Sequence, residues 1–359
     1  MLNPIRSLVV LRKILQYSFF PSKKYYEGKE KSRGCKFLEL ILYFLKTGEF
    51  LDMYYAFGLN IKGTSHSDYI GKKRMKKILK QRNFELRQQQ NIESTIDYDI
   101  LTKDKFYLTT VLKSLGLPVI DHLALISNNK FIDNQGHEYP LDAVFSLEMP
   151  CFLKNTILEY NEGILLLNRN SNGYLVDGIK TGKEDILRYI KTGSWIVQDI
   201  YKSSLEIRRV NDTALNTTRI VTVFHQNGPE YLTGFQAFAT ASLSTDHWGK
   251  GALYVGFHSE SEKLYEFGFY HPAIKELSLA REHPDSQVVF KDYQIPGLIA
   301  AIDLCKNAHR YLYYTYLIGW DVAITDEGPK ILEANEMPGM NAVQCVNGGL
   351  RYKLDPTKN

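Results

Sequence analysis

Apolar residues in the first 100 positions recur at the spacing of amphipathic helices. One run has Phe37, Leu38, Ile41, Leu42 and Leu45 three and four positions apart, which places them along one side of a helix. A further amphipathic helix begins at 104–105 and stops at 116–118, where Gly-Leu-Pro is a strong stop signal. The pattern therefore predicts a mainly helical N-terminal region over residues 1–100.

After residue 119 the pattern changes to short apolar runs that turn residues separate. Such runs are typical of β-strands, and they lie at 150–154, 163–167, 195–200 and repeatedly between 215 and 268. Helical patterns occupy 183–192 and 297–315. Strands covered by helices predict an α+β fold. We expect one unit over residues 101–196, a second over 197–350 and a tail over 351–359.

The stretch from Gly319 to Asn335 reads as two short strands around a loop, Asp326-Glu327-Gly328. The last loop residue is glycine, which suits the positive φ common at that position in hairpins. If Thr325 pairs with Pro329, every cross-strand pair of the hairpin is fixed. The apolar side of the hairpin would then carry Val322, Ile324 and Leu332.

The same register places Asp321 directly opposite Glu333, and Asn335 falls two residues further along the same face. Two carboxylates and one amide oxygen therefore meet on one patch. A hard cation such as Mg²⁺, held by one or two carboxylates together with substrate phosphates, would offset the repulsion between the acids. The alternative interpretation is a solvated hairpin whose acids lie on its wet side.

Composition narrows the classes of protein. The chain has 359 residues, 44% of them hydrophobic, which is enough for two or three packed units. A net charge of +4 argues against nucleic acid as the main partner. The four cysteines lack close spacing, so we expect neither a zinc site nor a disulfide framework, but a reducing compartment such as the cytoplasm. No apolar run approaches the length of about 18 residues that a bilayer requires.

The N-terminus is basic, since residues 1–36 carry nine Lys or Arg against two Glu. Arg12 and Lys13 interrupt the apolar run there, so a signal peptide is not expected. One interpretation is a basic amphipathic helix resting on the inner face of an anionic membrane. An ordinary helix packed on the domain is the favoured interpretation.

The C-terminal pattern resembles a known superfamily. Asp321, followed about a dozen residues later by Glu333-Ala334-Asn335 and then Pro338-Gly339, resembles the metal-binding end of ATP-grasp proteins. The longer run from Ile318 to Asn335 is similar to the sugar-transfer-associated ATP-grasp family, found near glycosyltransferases in bacterial surface-polysaccharide pathways. The resemblance covers residues 100–350. It implies two α+β subdomains that clasp ATP, with two Mg²⁺ ions on Asp321, Glu333 and Asn335.

The chain has neither a P-loop nor a Gly-x-Gly-x-x-Gly segment. An ATP-using enzyme without these must hold the phosphates with side-chain cations and a glycine-rich flap. The resemblance implies that Lys154, before a loop containing Glu162-Gly163, is the first phosphate lysine. It also implies that Lys105 contacts the nucleotide. Arg219, in an alternating strand, can contact phosphate oxygens through its fork of donors. Either lysine could instead be a surface residue.

The resemblance assigns further residues to the nucleotide. The backbone of Gln198, Asp199 and Ile200 would pair with the adenine edge, and Glu206 would accept hydrogen bonds from the ribose. Glu206 could equally be a solvated acid. Lys250 lies in a segment similar to the family's glycine-rich turn, at a position where two adjacent glycines are common. His247 beside it could be a general base, although a lone histidine is more often structural.

The resemblance implies a ligase that activates a carboxylate as an acylphosphate and joins it to an amine. The acceptor would be a small molecule or a sugar-linked group, and a glycosyltransferase is a candidate partner. Two alternatives stay open. One is a kinase acting on a sugar or polyol hydroxyl, and the other is a nucleotide-binding accessory protein without turnover.

Overall fold

The computed structural model describes residues 4–20, 25–92, 100–157, 163–241, 243, 245–274 and 279–354. Glu162, the Lys23-Lys24 pair of the basic N-terminus and the end of the predicted tail lie outside the described residues. Within them the chain forms ten α-helices and fifteen strands, in two antiparallel sheets.

The first part of the chain is helical, as its apolar spacing predicts. It contains α1 (Pro4–Phe19), α2 (Arg33–Thr47) and α3 (Lys72–Gln89). The Ser32 side chain caps α2 by accepting a hydrogen bond from the Cys35 backbone. The helix ends at Gly48, whose φ of 65° suits glycine.

A second helical segment contains α4 (Ile100–Lys103) and α5 (Lys105–Ser114). The Asp104 carboxylate caps α5 by accepting from the backbone N–H groups of Phe106 and Tyr107. Gly116, with φ of 75°, follows the helix. The sequence signals at both ends of α5 therefore describe it correctly.

The first sheet has eight strands, all joined by antiparallel pairs. They are β1 (Ala124–Ser127), β2 (Lys130–Asp133), β3 (Glu138–Pro140), β4 (Cys151–Asn155), β5 (Ile164–Asn170), β6 (Gly173–Val176), β7 (Ile179–Lys180) and β8 (Trp195–Gln198). Their order is β3-β2-β1-β8-β4-β5-β6-β7. Helix α6 (Lys183–Ile190) packs on this sheet and shares its core through Ile186 and Ile190.

The second sheet has seven strands and carries the hairpin. They are β9 (Thr218–His225), β10 (Gly228–Phe238), β11 (Leu253–His258), β12 (Lys263–Phe269), β13 (Leu279–Ala280), β14 (Leu317–Thr325) and β15 (Gly328–Asn335). Their order is β13-β12-β11-β10-β9-β14-β15. Three more helices are α7 (Leu205–Val210), α8 (Leu298–Tyr311) and α9 (Met340–Asn347).

Both faces of the second sheet are buried because different helices cover them. Ile220 and Trp320 share a core with α8, whereas Val221 and Val223 share a core with α9 and the N-terminal helices. This alternation along β9 is the expected consequence of the two-residue period of a strand. The second sheet is therefore buried between two layers that contain different helices.

The hairpin register differs from the prediction at its tip. Thr325 pairs with Gly328, so the loop has two residues rather than three. A bulge at Leu332 then shifts the register by one, and Asp321 pairs with Glu333 as predicted. Because of the bulge, Ile331 rather than Leu332 joins Val322 and Ile324 in the core, which corrects the predicted apolar side.

The N-terminal region is bound to the C-terminal end. Gln344 of α9 exchanges two hydrogen bonds with the backbone of Ile70, at 2.9 and 3.1 Å. Helix α10 (Arg351–Leu354) adds a hydrogen bond from Arg351 to the Ser67 carbonyl. Gly349 is required beside it, since a Cβ there would lie 2.2 Å from the Asp68 carbonyl oxygen. Among the described residues, no helix is long and apolar enough to span a bilayer.

Candidate functional site

A charged pair lies at the centre of the second sheet. Arg219 on β9 and Asp321 on β14 are directly opposite each other. The guanidinium Nε donates to Oδ1 at 2.5 Å and Nη2 donates to Oδ2 at 2.9 Å. The two side chains are only 18% and 11% exposed. The geometry is bidentate, which makes this pair strong and fixes both side chains.

The second carboxylate of the pattern lies across the next strand pair. Glu333 on β15 is opposite Asp321, and the Asn335 amide donates to the Glu333 carboxylate at 3.4 Å. The structure thus brings Asp321, Glu333 and Asn335 together, as the register argument expects. Burial raises the pKa of Asp321 well above its ordinary value; Arg219 opposes this increase and the charge of Glu333 adds to it. A buried pair of acids in this state favours an added cation.

Two lysines from other elements approach the carboxylates. Lys105, the first residue of α5, places Nζ 3.9 Å from Glu333 Oε2. Its backbone N–H bonds to the Thr156 carbonyl, just beyond β4, so the start of α5 is fixed on the first sheet. Burial acts to raise the pKa of Glu333, but the charges of Lys105, Arg219 and Lys154 outweigh it and lower the pKa.

Lys154 on β4 completes the cluster from the side of the first sheet. Burial lowers its pKa to about 8; the charge of Lys105 adds to this effect, and that of Glu333 opposes it. The Nζ of Lys154 lies 5.6 Å from the centre of the Phe152 ring, and the charge of Asp321 also acts on it. We call Lys105, Lys154, Arg219, Asp321 and Glu333 the charged cluster. It contains three cations and two anions, drawn from both sheets and from α5.

Sequence reasoning missed two groups beside the cluster. Asp246 accepts from both the backbone N–H and the hydroxyl of Thr217, each at 2.6 Å, and burial raises its pKa. The Tyr254 hydroxyl accepts from the Trp248 backbone at 3.3 Å, and burial with the charge of Asp246 raises its pKa. The only sequence signal was that Asp246 opens the segment similar to a glycine-rich turn.

The three predicted adenine residues lie where β8 ends. Gln198 is its last residue and is buried, and its amide donates to the Ile120 carbonyl at 3.1 Å. Asp199 and Ile200 follow outside the sheet with exposed side chains. The side chain of Gln198 therefore has a structural partner, and a nucleotide contact there would have to use the backbone.

Glu206 lies outside the charged cluster. It belongs to α7, whose start is held at the hairpin tip by Asp326 through hydrogen bonds to the Leu205 backbone and the Arg208 guanidinium. The tip is five residues beyond Asp321, roughly 16 Å along an extended strand. The structure therefore separates the predicted ribose acid from the predicted phosphate residues.

Lys250 lies in a short 3₁₀ helix, 248–250, and its side chain is exposed. Its charge acts on His247, where burial and Lys250 together lower the pKa. Among the described residues, neither His247 nor Lys250 forms a hydrogen bond or an ion pair with the charged cluster. Their predicted roles stay predictions.

The donors present suit one kind of metal ion. No group of three or more His, Cys, Asp or Glu able to hold a metal occurs in the described ranges. Two carboxylates and an amide do fit Mg²⁺, which takes one or two carboxylates plus substrate phosphates. Asp321 can serve both Arg219 and a metal, because a carboxylate has about four lone-pair sites.

The two-sheet fold and this site define an ATP-grasp type of protein, and a family comparison agrees. Residues 81–359 match the model described as sugar-transfer associated ATP-grasp. The chain therefore belongs to the sugar-transfer associated ATP-grasp family, which confirms the resemblance and the fold class predicted from the sequence. A comparison with curated proteins finds no match.

Solved structures with some likeness include several ligases. N5-carboxyaminoimidazole synthetase from Staphylococcus aureus, complexed with ADP, is 10% identical with a TM-score of 0.39, covering 69% of this chain and 52% of that one. L-amino acid ligase from Bacillus licheniformis is 10% identical with a TM-score of 0.38, covering 75% and 52%. D-alanine–D-alanine ligase from Bacillus anthracis, complexed with ATP, is 13% identical with a TM-score of 0.35, covering 71% and 63%.

This chain spans about half the length of the synthetase and of the L-amino acid ligase. At such low identity and TM-score, none of the three structures carries an argument about its activity.

Proposed function

We propose that this protein is a Mg·ATP-dependent ligase that activates a carboxylate as an acylphosphate and joins it to an amine. The carboxylate or the amine would belong to a sugar or a surface-polysaccharide precursor, as the description of the family suggests. One observation carries the proposal. The charged cluster places three cations against two carboxylates between the two sheets, which is the charge arrangement that a metal-bound triphosphate needs.

The three cations would have different roles because they occupy different positions. Lys154 and Lys105 would bind the phosphates of ATP in the ground state, since both approach the carboxylates from outside the second sheet. Arg219 would stabilise the charge that develops during transfer, because its bidentate pair with Asp321 holds it rigid. We therefore expect Lys154→Ala to raise KM for ATP and Arg219→Ala to lower kcat.

Asp321, Glu333 and Asn335 would hold Mg²⁺ against the phosphates. When bound, Mg²⁺ would neutralise phosphate charge and favour in-line transfer. Without it, Arg219 opposes the repulsion between Asp321 and Glu333, while burial raises the pKa of Asp321 above its ordinary value. Two ions are proposed, as the resemblance implies.

The rest of the nucleotide would lie along the end of β8. The backbone of Gln198, Asp199 and Ile200 leaves the sheet there and is the part of the chain available to the adenine edge. Glu206 would contact the ribose and Lys250 the phosphates from the turn. Because Glu206 lies toward the hairpin tip, a bound ATP would run along the hairpin from the tip to the charged cluster.

The test traps the proposed intermediate. Protein, Mg·ATP and a panel of uronic acids and amino acids are incubated with hydroxylamine, and hydroxamate and ADP are measured together. A ligase gives both in equal amounts for one carboxylate class, since hydroxylamine replaces the natural amine. The Glu333→Gln variant serves as the control and should give neither.

The same assay separates the alternatives. A kinase would release ADP with a stable phosphate ester and no hydroxamate. An accessory protein would bind Mg·ATP, with a raised melting temperature, but release ADP only at the background rate. We also propose that the protein works in the cytoplasm, where ATP is available, and that its partner is a glycosyltransferase, because the family is associated with sugar transfer.

A further inference from the structure

Helix α1 is apolar on two opposite sides. Val10 and Ile14 are buried in the core. On the other side, Leu8, Leu15 and Phe19 are 68%, 43% and 42% exposed. Their spacing of seven and four places them on one face of the helix. An ordinary surface helix would have polar residues there.

Helix α2 repeats this arrangement. Leu40, Tyr43 and Phe44 are buried on one side. The opposite side carries Leu38, Leu42 and Leu45, which are 57%, 54% and 65% exposed. A row of large apolar side chains on a helix normally faces a packing surface. In the described structure these three leucines of α2 are exposed to solvent instead.

The two exposed rows belong to one helical hairpin. The ring of Phe19 at the end of α1 lies 6.0 Å from the ring of Phe37 at the start of α2, so the helices run side by side in opposite directions. We call the exposed side of this hairpin the N-terminal apolar face. It consists of Leu8, Leu15, Phe19, Leu38, Leu42 and Leu45.

The charges on this face have one sign. Arg12 lies in the exposed row of α1, four residues after Leu8, and Lys46 follows Leu45 on α2; both are exposed. Glu39 is the one acidic residue in the sequences of α1 and α2. It is turned inward, 15% exposed, and accepts from Lys31 and Tyr54. The outer surface of the hairpin is thus apolar and cationic.

Helix α3 extends the positive surface. Lys73 donates to the Gly48 carbonyl at 2.8 Å, so α3 begins beside the end of α2. Its exposed residues include Lys72, Lys76, Lys77 and Lys80. Glu85 is the single acid in the sequence of α3, and it pairs with Arg82.

We propose that the N-terminal apolar face docks on an anionic lipid surface, with its leucines and Phe19 among the acyl chains and Arg12 and Lys46 at the headgroups. Exposed apolar rows combined with cations are the chemistry of an interfacial membrane contact. Long basic side chains at such a boundary can place their charge in the headgroups while their stems stay apolar. A second copy of the chain is a poorer occupant, because a symmetric contact would bring Arg12 and Lys46 of both copies together.

The experiment measures partition of the full chain onto two kinds of vesicle. One kind is phosphatidylcholine with about 30% of the anionic lipid phosphatidylglycerol, and the other is phosphatidylcholine alone. The wild-type protein should bind the anionic vesicles, bind the neutral ones weakly, and lose binding as salt increases. The triple variant Leu38→Gln, Leu42→Gln, Leu45→Gln keeps good helix formers and should reduce partition on the order of 100-fold. The matched control Ile179→Gln, Ile299→Gln changes exposed apolar residues elsewhere and should bind as the wild type does.

A double variant tests the charges separately. Each basic residue near an anionic surface contributes about 1 kcal/mol, and roughly 1.4 kcal/mol corresponds to a tenfold change in partition. The variant Arg12→Gln, Lys46→Gln should therefore bind about 30-fold more weakly. Thermal unfolding checks that each variant is folded. If the triple variant does not fold, the double variant tests the proposal. Equal binding to both kinds of vesicle, no binding by the wild type, or unchanged binding of folded variants would overturn it. A dimer in light scattering that the triple variant converts to a monomer would also overturn it and assign the face to a second copy.

Discussion

Arg219 and Asp321 face each other across β9 and β14, and the guanidinium occupies one lone pair on each oxygen of the carboxylate. The arginine is therefore positioned by the fold before any nucleotide binds. It also offsets part of the repulsion between Asp321 and Glu333, since its charge opposes the raised pKa of Asp321. The site and the stability of the second sheet thus depend on the same pair.

Removal of Arg219 should destabilise the protein as well as inactivate it. Arg219→Ala leaves Asp321 buried beside Glu333 without its partner, and we expect a loss of about 3 kcal/mol in the free energy of unfolding. The double variant Arg219→Ala, Asp321→Ala should lose less than the sum of the single variants. Urea denaturation of the wild type, the two single variants and the double variant measures the coupling. Additive losses would mean that the pair does not stabilise the sheet.

ATP binding should weaken as pH rises above about 8. Burial lowers the pKa of Lys154 to about 8, so the side chain is charged below that pH and becomes neutral above it. Because an anionic phosphate needs the charged form, Kd for ATP should rise about tenfold per pH unit beyond pH 8. Calorimetric titration from pH 7 to 9.5 measures this slope. Lys154→Arg should flatten it, since arginine keeps its charge, and a flat wild-type profile would remove Lys154 from the phosphates.

Glu333→Gln should raise the Mg²⁺ concentration needed for half-maximal turnover. The change removes one charge from the carboxylate pair at almost constant volume, and we expect turnover to fall roughly 100-fold or more. Glu327→Gln is the matched control, since it makes the same change in the exposed tip of the same hairpin. Turnover is followed as ADP release over a range of Mg²⁺ concentrations. Similar behaviour of the two variants would show that the hairpin does not hold the metal.

His309 should make the fold sensitive to acid. The Trp320 indole donates to Thr222 at 2.8 Å, the Thr222 hydroxyl donates to His309 Nδ1 at 2.7 Å, and Nε2 donates to the Thr315 carbonyl at 2.8 Å. This chain suits the neutral imidazole, and burial lowers its pKa from 6.5 to about 4. The unfolded chain therefore binds the proton first, and stability is lost as pH falls from 6.5 to 4.

At 1.36 kcal/mol per pKa unit, the loss attributable to His309 is about 3 kcal/mol. Chemical denaturation at several pH values, compared between the wild type and His309→Gln, isolates this contribution. The variant should be less stable at pH 7 but lose less stability on acidification. His137→Gln, at an exposed position, should follow the wild type. Parallel curves for the wild type and His309→Gln would contradict the prediction.

The hairpin shows which structural features the sequence alone can predict and which it cannot. The pairing of Asp321 with Glu333 is correct, but the predicted loop is one residue too long and the bulge at Leu332 restores the count. The bulge lies next to Ile331, whose backbone bonds to Pro118 and Ile120 in a parallel contact with a distant segment. Alternation within one strand cannot reveal such a partner, because the partner is about 200 residues away in the sequence.

Asp246 and Tyr254 lie beside the site, but the sequence pattern does not identify them. Neither stands in a periodic pattern that marks a site. The charge of Arg219 acts on Tyr254 across the neighbouring strands β9, β10 and β11, and on Asp246 because that residue is bonded to Thr217, just before β9. Lys154 and Lys105 were identified through the resemblance and not through spacing. Local pattern therefore predicted the elements and one carboxylate pair, whereas the order of the strands decided what surrounds that pair.

The double hydrogen bond between Ile70 and Gln344 has a consequence for biosynthesis. The two residues are 274 positions apart, and the core around them combines side chains from α1–α3 with side chains from α9. On the ribosome α1–α3 emerge well before α9, so the part of their inner faces that α9 covers stays exposed until residues 340–347 have been synthesised. Until then these apolar side chains are exposed to aggregation.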